Sequence, residues 1–480
     1  IGKVRRLYGG FILLRTEKFF SIIQKGINMA EASKLPPSAS SSGAEGSAVG
    51  SRYFVRDDTH CFVACQISEL LVDGKKCFVR NLKNESQTQR LVNVQDLEKY
   101  PLISEEERDS PPDNMLFTKD FHEAGVLDKV RTRFAIGNQY TYAGSVLVRV
   151  QSFNWAMEKD TEDLMLNSAN AAAKGSVDLG SMRAGLYTFL EKHLSLLHVE
   201  RRQTIFLGGV CGAGKSETMK QCLDYVGFTR SPQSSSQEPQ ETEGPSRDYR
   251  RHFAAVARVL ETFCNARTSV SQNSSRCARV TKVWLDEKTG YVLQTLTNVH
   301  LLEKYRVVAR LEAERNFFIF YTLLFGTSME FREKYKLVKV SARPDDSCVG
   351  GIPMLEASSP KAKAKWTKRF ENLKEAWASL SLTDDDIDSV VSLVAAVLSI
   401  SSIRFENKDV PGKGRVASIN AFSKPHLENA AFLLGVDTEA LFLALTVNKP
   451  RGDGVAMDLN ASEATRARDQ LCCDLYGNCV

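Results

Sequence analysis

The spacing of apolar and polar residues predicts short strands in the first part of the chain. Between residues 52 and 99 the apolar residues form four brief β-prone runs, at 53–55, 61–67, 76–80 and 90–94. Closely spaced strands of this kind are typical of a small SH3-like barrel, although a hairpin appended to the next domain would give the same pattern.

Helical and strand-like patterns alternate over the rest of the chain. Apolar residues recur with helical spacing from Phe121 to Phe134, and residues 139–150 read as a hairpin. A second hairpin is predicted over 280–296, and further helices over 159–200, 253–263, 317–324, 370–380, 387–398, 426–446 and 461–475. Strands and helices are therefore interleaved along most of the sequence.

Polar segments rich in proline, glycine or serine separate these elements. We expect a disordered lead-in over 30–51, a linker over 100–112, a mobile surface loop over the insert 228–250 and a further loop over 341–365. Residues 1–28 mix basic and apolar residues. They can be read as a membrane-surface segment or as sequence upstream of a natural start at Met29, and we expect the second.

Composition narrows the function classes. The 63 Lys and Arg nearly balance the 58 Asp and Glu, which gives a net charge of +5 and no case for nucleic-acid binding. The eleven cysteines lack metal-ligand spacing, so we expect reduced thiols in a cytoplasmic protein. No run of 18 apolar residues occurs, and we predict no transmembrane segment.

One motif carries recognisable chemistry. A β-prone run at 203–207 is followed by Gly209-x-x-x-x-Gly214-Lys215-Ser216 and then by a helical segment. Glycines let backbone N–H groups curl around an anion, and the helix N-terminus adds donors and a favourable dipole. The predicted nucleotide-binding residues here are Gly209, Val210, Cys211, Gly212, Ala213, Gly214, Lys215, Ser216 and Glu217.

The motifs around this loop resemble those of a known family. The runs 260–268, 273–276, 300–308 and 314–321, together with 123–127 and 140–144 upstream, are similar in order and spacing to the myosin head, or motor domain. The resemblance covers residue 52 to the end of the sequence. It implies an α/β fold, in which the mixed sheet of a P-loop NTPase is flanked by helices and preceded by the small barrel.

This resemblance also implies a division into domains. Residues 1–51 would be disordered or non-native, 52–99 an SH3-like subdomain, and 103–480 a partial motor domain. Within the last, we expect the phosphate loop at 209–216, switch I at 271–279, and the helical region on the upper actin-binding side from about residue 300 to 480.

Individual roles in binding ATP and Mg²⁺ follow from the same resemblance. Lys215 would neutralise the β and γ phosphates, and the hydroxyls of Ser216 and Ser275 would coordinate Mg²⁺. Ser274 would contact the γ-phosphate or the attacking water, with Arg276 closing the site around that water. Asn273 would join the nucleotide-binding set.

Several residues depart from the family pattern. Val210 and Cys211 replace a Glu and a Ser of the loop, Ser271 replaces an Asn, Cys277-Ala278 replaces Phe-Gly, and Gln151-Ser152 replaces Asn-Pro. No D-x-x-G-F-E sequence of the switch II type occurs, so we expect Arg276 to have no carboxylate partner. The sheet strand leading into switch II is missing too. We therefore expect an exposed apolar edge beside the phosphate-loop strand, poor solubility in isolation, and a longer natural product.

Two functions from different classes remain open. The first is an ATPase motor that moves along actin filaments in the cytoplasm, associated with the cytoskeleton, with light chains only if the complete product has a lever arm. The second is a degenerate nucleotide- or actin-binding remnant with an adaptor or regulatory role and no turnover. A phosphate-loop kinase is a distant third, because nothing outside the loop supports it.

Overall fold

A computed structural model describes residues 9–13, 49–72, 74–82, 89–104, 106–151, 165, 184–231, 248–311, 313–337, 348–349, 352–353, 359–412, 414–449 and 456–480. The chain divides into two compact units, Ile1–Tyr225 and Val226–Val480. The predicted lead-in 30–51, the insert 228–250, the loop 341–365 and the helical region 159–200 lie largely or partly outside the described residues.

The first unit contains eight strands and most of five helices. The strands are β1 Gly9–Leu13, β2 Arg52–Asp57, β3 Cys61–Leu70, β4 Lys76–Asn81, β5 Arg90–Asn93, β6 Tyr140–Ala143, β7 Val146–Arg149 and β8 Ile205–Gly209. The helices are α1 Val94–Leu97, α2 Glu106–Asp109, α3 Glu123–Ala135, α4 Leu186–Ser195 and α5 Lys215–Thr229, the last of which crosses the boundary between the units.

The predicted small β subdomain is an antiparallel sheet in the order β2-β3-β4-β5. Alternate residues of its strands are buried, as in Phe54, Ile67 and Val79, because successive side chains of a strand point to opposite faces. All four predicted strands are confirmed. Among the described residues the sheet is open at β5, so closure into a barrel is not confirmed.

A second, mixed sheet carries the strand that leads into the phosphate loop. Its order is β6-β7-β1-β8, with β6 and β7 antiparallel and β1 parallel to both of its neighbours. The place of β1 differs from the expectation of disorder for residues 1–51. Strand β8 has no second neighbour among the described residues, and Phe206 on it is 67% exposed. That exposure agrees with the expected apolar edge.

The second unit is mainly helical. Its helices are α6 Tyr249–Cys264, α7 Phe318–Gly326, α8 Met329–Lys334, α9 Pro360–Ser379, α10 Asp384–Ser401, α11 Lys424–Leu434, α12 Thr438–Thr446 and α13 Ala461–Cys479. Its paired strands are β9 Asn265–Ala266 with β10 Ser274–Ser275, β11 Ala278–Leu285 with β12 Val292–His300, β13 Cys348–Val349 with β14 Ile352–Pro353, β15 Phe405–Val410 with β16 Gly414–Ile419, and β17 Val447–Asn448 with β18 Met457–Asp458.

Helix α7 forms the centre of the core of this unit. All nine of its residues are buried, as the continuous apolar run predicts. Tyr321 stacks on Trp366 of α9 with ring centroids 5.3 Å apart, and Phe320 lies against Tyr476 of α13. Each large apolar side chain buried in this way stabilises the fold by about 1.5–3 kcal/mol.

Three predictions for the helical half need correction. The helix predicted from 370 begins at Pro360, because Ser359 caps it and proline suits a first turn. The single helix predicted over 426–446 is two helices, since Gly435 takes a left-handed φ of 65° and Asp437 caps the next helix. The hairpin of β15 and β16 was not predicted, because its strands are largely exposed and carry little apolar periodicity.

One test for membrane-crossing helices gives a limited result. No single helix in the described part of the chain is long and apolar enough to span a bilayer, whereas α11 and α12, bent by 111° relative to each other, pass together on length and composition alone.

Candidate nucleotide-binding site

The phosphate loop lies where the sequence predicts it, between β8 and α5. A tight turn forms at its centre, where the Ala213 N–H donates to the Val210 carbonyl at 3.2 Å. Gly209, Gly212 and Gly214 have φ values of 151°, 81° and 91°. Side chains with a Cβ rarely adopt such backbone conformations, so the glycines define the curvature of the loop.

Gly214 is also restricted by its surroundings. A Cβ at this position would clash with the side-chain carboxamide of Gln151, whereas a Cβ at Gly212 would meet open space. Gln151 is one of the residues that departs from the family pattern. It forms the wall on this side of the loop, so the exchange of side chain at 151 alters the surroundings of the loop directly.

Lys215, the first residue of α5, points its ammonium group back at the loop. Its Nζ donates to the carbonyls of Gly209 at 2.7 Å and of Val210 at 2.8 Å. Partial burial lowers the pKa of the ammonium, because removal from water disfavours the charged form. Lys215 is therefore held at the mouth of the loop, where a phosphate group would meet it.

Arg149 supports the first turn of α5 and was not predicted as a site residue. Its side chain is buried, and its Nη1 donates to Thr218 Oγ1 and to Gln221 Oε1, both at 2.9 Å. Thr218 Oγ1 in turn donates to the Gly214 carbonyl at 3.1 Å. The signal in the sequence was a charged residue ending the apolar strand β7, which the hairpin prediction treated as a boundary.

The segment 271–279, which we call the switch segment, belongs to the second unit. Asn273 donates from Nδ2 to Glu261 Oε1 of α6 at 2.7 Å and accepts from Asn265 Nδ2 at 2.8 Å. Ser274 is buried and accepts from Arg276 Nη1 at 3.3 Å. Ser275 pairs with Asn265 across β9 and β10. Side-chain contacts therefore fix this segment.

Arg276 has a carboxylate partner in this chain, and the expectation that it would lack one is wrong. Its Nε lies 2.6 Å from Glu303 Oε2, and the Glu303 N–H donates to the Arg276 carbonyl at 2.9 Å. Glu303 was quoted only as part of a family run, and its position 27 residues after Arg276 gave no sign of pairing.

A second arginine shares this carboxylate. Arg306 contacts Glu303 Oε2 at 3.1 Å and Glu314 Oε2 at 2.8 Å. Burial alone would raise the pKa of Glu314, but the hydrogen bond from Arg306 and its positive charge hold that pKa below its ordinary value. Glu303 is thus the point at which the switch segment joins a wider network of charges.

The predicted site residues fall into two groups. Residues 209–217 lie around the end of β8 and the start of α5 in the first unit, and Asn273, Ser274, Ser275 and Arg276 lie around β10 in the second. Within each group the side chains are brought together as described above.

Comparison with known proteins identifies the family. The sequence profile of the family described as myosin head (motor domain) matches residues 112–479, which is most of the chain. The chain belongs to the myosin head family. The expected resemblance is therefore confirmed, and the phosphate loop and switch segment lie within the matched region.

Individual relatives agree with this assignment. The chain is 27% identical to Myosin-52 of Schizosaccharomyces pombe over 89% of its length, 30% identical to Myosin heavy chain 95F of Drosophila melanogaster over 74%, and 31% identical to Unconventional myosin-Ic of Aquarana catesbeiana over 74%. It spans only 28%, 29% and 32% of those three proteins.

The residues of this myosin head fit a nucleotide with Mg²⁺. The left-handed glycines, the start of α5 and Lys215 form a cradle suited to phosphate oxygens. Mg²⁺ commonly takes one or two protein oxygens and fills its shell with phosphate oxygens and water. The hydroxyls of Ser216 and Ser275 meet that need, and no cluster of three or more His, Cys, Asp or Glu suited to a metal occurs in the part of the chain that the structure describes.

Proposed function

We propose that this myosin head binds ATP with Mg²⁺ and, within a longer product, couples ATP hydrolysis to movement along actin filaments. The observation that carries the proposal is the phosphate loop, with its left-handed glycines and the ammonium of Lys215 at its mouth. Membership of the myosin head family extends the proposal from nucleotide binding to the motor activity.

Each site residue has a task in this proposal. Backbone N–H groups of the loop and the start of α5 bind phosphate oxygens, and Lys215 neutralises the β and γ phosphates. Ser274 positions the attacking water or a γ-phosphate oxygen, and Arg276 closes the site on that side. Positioning and charge neutralisation of this kind are most of what phosphoryl transfer requires.

Mg²⁺ would neutralise charge on the β and γ phosphates when bound. Ser216 and Ser275 are the residues that we propose as its protein ligands. Among the proposed partners are actin filaments, and a cytoskeletal location follows from them. We also propose that the open sheet β2–β5 corresponds to the small SH3-like subdomain expected before the motor domain.

Substitution of Lys215 tests nucleotide binding. We expect Lys215→Ala to weaken binding of a fluorescent ATP analogue by roughly 10- to 100-fold, since a hydrogen bond to a charged group contributes about 1.5–3 kcal/mol. Lys220→Ala is the matched control, because Lys220 lies on the same helix and pairs with Glu217 at 3.7 Å. Equal affinities of the two variants would contradict the proposed role of the loop.

Turnover separates the motor from an adaptor. Actin-stimulated release of phosphate by the full-length natural product, abolished by Lys215→Ala, is the result expected of the motor. Nucleotide binding without turnover in the presence of actin would instead support the remnant with a regulatory role.

A further inference from the structure

Two cysteines meet at the base of the switch segment. Cys264 ends α6, and Cys277 follows Arg276 where the chain bends between β10 and β11. The Arg276 N–H donates to the Cys264 carbonyl at 2.9 Å, which holds the two backbones side by side. The thiol of Cys264 donates a hydrogen bond to the Cys277 sulfur, so the two sulfur atoms are already in contact.

We propose that Cys264 and Cys277 are a modification site, at which peroxide forms a reversible disulfide that closes the loop 264–277. This loop contains Asn273, Ser274, Ser275 and Arg276. A disulfide requires two cysteines whose backbones lie close and whose side chains point at each other, and the hydrogen bond between the sulfurs meets that requirement. The inference concerns the chain itself and does not depend on the proposed function.

Exposure assigns the order of the two reactions. Cys277 is partly exposed, whereas Cys264 is fully buried. The peroxide therefore meets Cys277 first. Cys264 needs no access to solvent, because it reacts only with its neighbour inside the protein.

The chemistry balances with hydrogen peroxide as the oxidant. The Cys277 sulfur loses its proton and attacks one peroxide oxygen, so that the O–O bond breaks and hydroxide leaves as water after taking up a proton. The Cys264 sulfur then attacks the sulfenic sulfur of Cys277, the S–S bond forms, the S–O bond breaks, and a second water leaves. Two thiols are oxidised and one peroxide is reduced to two waters.

The disulfide would restrain the switch segment. In the reduced chain, hydrogen bonds and ion pairs fix residues 271–279, and these can open and close. A covalent bond between the two ends of the segment limits that opening. The backbone N–H groups between Asn265 and Arg276 should therefore exchange with solvent more slowly in the oxidised chain.

Peptide mapping tests the proposal on the full chain. The reduced protein is treated with hydrogen peroxide, free thiols are alkylated, and the digest is analysed by mass spectrometry. We expect a cross-linked peptide joining Cys264 to Cys277 with the loss of two hydrogen atoms, reversal by dithiothreitol, and slower amide exchange across 265–276. Cys264→Ser should leave a trappable sulfenic acid on Cys277, and the exposed Cys61 gives the control variant Cys61→Ser, which should keep the cross-link.

Several outcomes would overturn the proposal. One is full oxidation of Cys61 while Cys264 and Cys277 remain free thiols in the wild-type chain. Another is a disulfide from Cys277 to Cys479, whose charge also acts on Tyr476. A third is conversion of Cys277 to a sulfinic acid without any cross-link. All three are read from the wild-type protein and so do not depend on whether the variants fold.

Discussion

In the first unit the phosphate loop takes its shape from three glycines with positive φ, whereas in the second unit the switch segment is held by side chains. Gly209, Gly212 and Gly214 need no side-chain partner to define the loop. Asn273 and Arg276, in contrast, depend on the carboxylates of Glu261 and Glu303. One site is therefore built from backbone geometry and the other from polar contacts.

This difference shows which substitutions each part tolerates. A loop that binds through backbone N–H groups accepts other side chains at Val210 and Cys211, as long as the glycines stay. A segment positioned by carboxylates is sensitive to the loss of a single charge. Departures from the family pattern therefore matter less in the loop than beside the switch segment.

The largest effect is expected from Gly214→Ala. The new Cβ would occupy a left-handed backbone position, which costs about 1–2 kcal/mol, and would also clash with Gln151. We expect nucleotide affinity to fall by at least about tenfold, a free-energy change of roughly 1.4 kcal/mol. Isothermal titration with ATP measures it.

Gly212→Ala is the matched control for this change. Gly212 has the same left-handed backbone but open space around it, so its substitution should weaken binding less. Gln151→Ala added to Gly214→Ala should restore part of the loss. Equal losses for Gly212→Ala and Gly214→Ala, with no rescue, would show that the wall formed by Gln151 has no role.

An intermediate effect is expected from Glu303→Gln. This change removes the negative charge shared by Arg276 and Arg306, while Arg306 keeps Glu314. Because Glu303 is 42% exposed, water screens the pair, and we expect a loss of only about 1 kcal/mol in stability. Thermal unfolding should show a decrease of a few degrees.

The exposed Glu287, in the turn between β11 and β12, provides the control for charge alone. Glu287→Gln should leave the unfolding temperature unchanged. If Glu303→Gln behaves in the same way, the contact between Arg276 and Glu303 contributes nothing to stability, and the contrast between the two sites is weaker than the geometry indicates.

The smallest effect is expected from Cys211→Ser. Cys211 is exposed in the loop, and the donors that we expect to bind phosphate are backbone groups on either side of it. Nucleotide affinity should change by less than about twofold, roughly 0.4 kcal/mol. A change of tenfold or more in the same titration would mean that the side chain at 211 takes part in binding, and that the loop is not defined by its backbone alone.

The sequence allowed more of the loop than of the switch segment to be predicted. Glycine spacing reports backbone geometry directly, so the strand, turn and helix around Gly214 were found at their observed places. Pairing between Arg276 and Glu303 depends on a fold that brings distant residues together, and periodicity carries no such information. Gly435 divided a predicted helix for a related reason, because apolar spacing continued across the break.

The shared carboxylate of Glu303 has a consequence for rates. When Arg276 turns away from it, Arg306 remains beside Glu303, so the departure leaves no uncompensated charge behind. The exchange needs only rotation about side-chain bonds, which takes picoseconds to nanoseconds at partly exposed positions. Enzymes commonly turn over between about 1 and 1,000 times per second. A change of partner at Arg276 would therefore be too fast to limit a catalytic cycle.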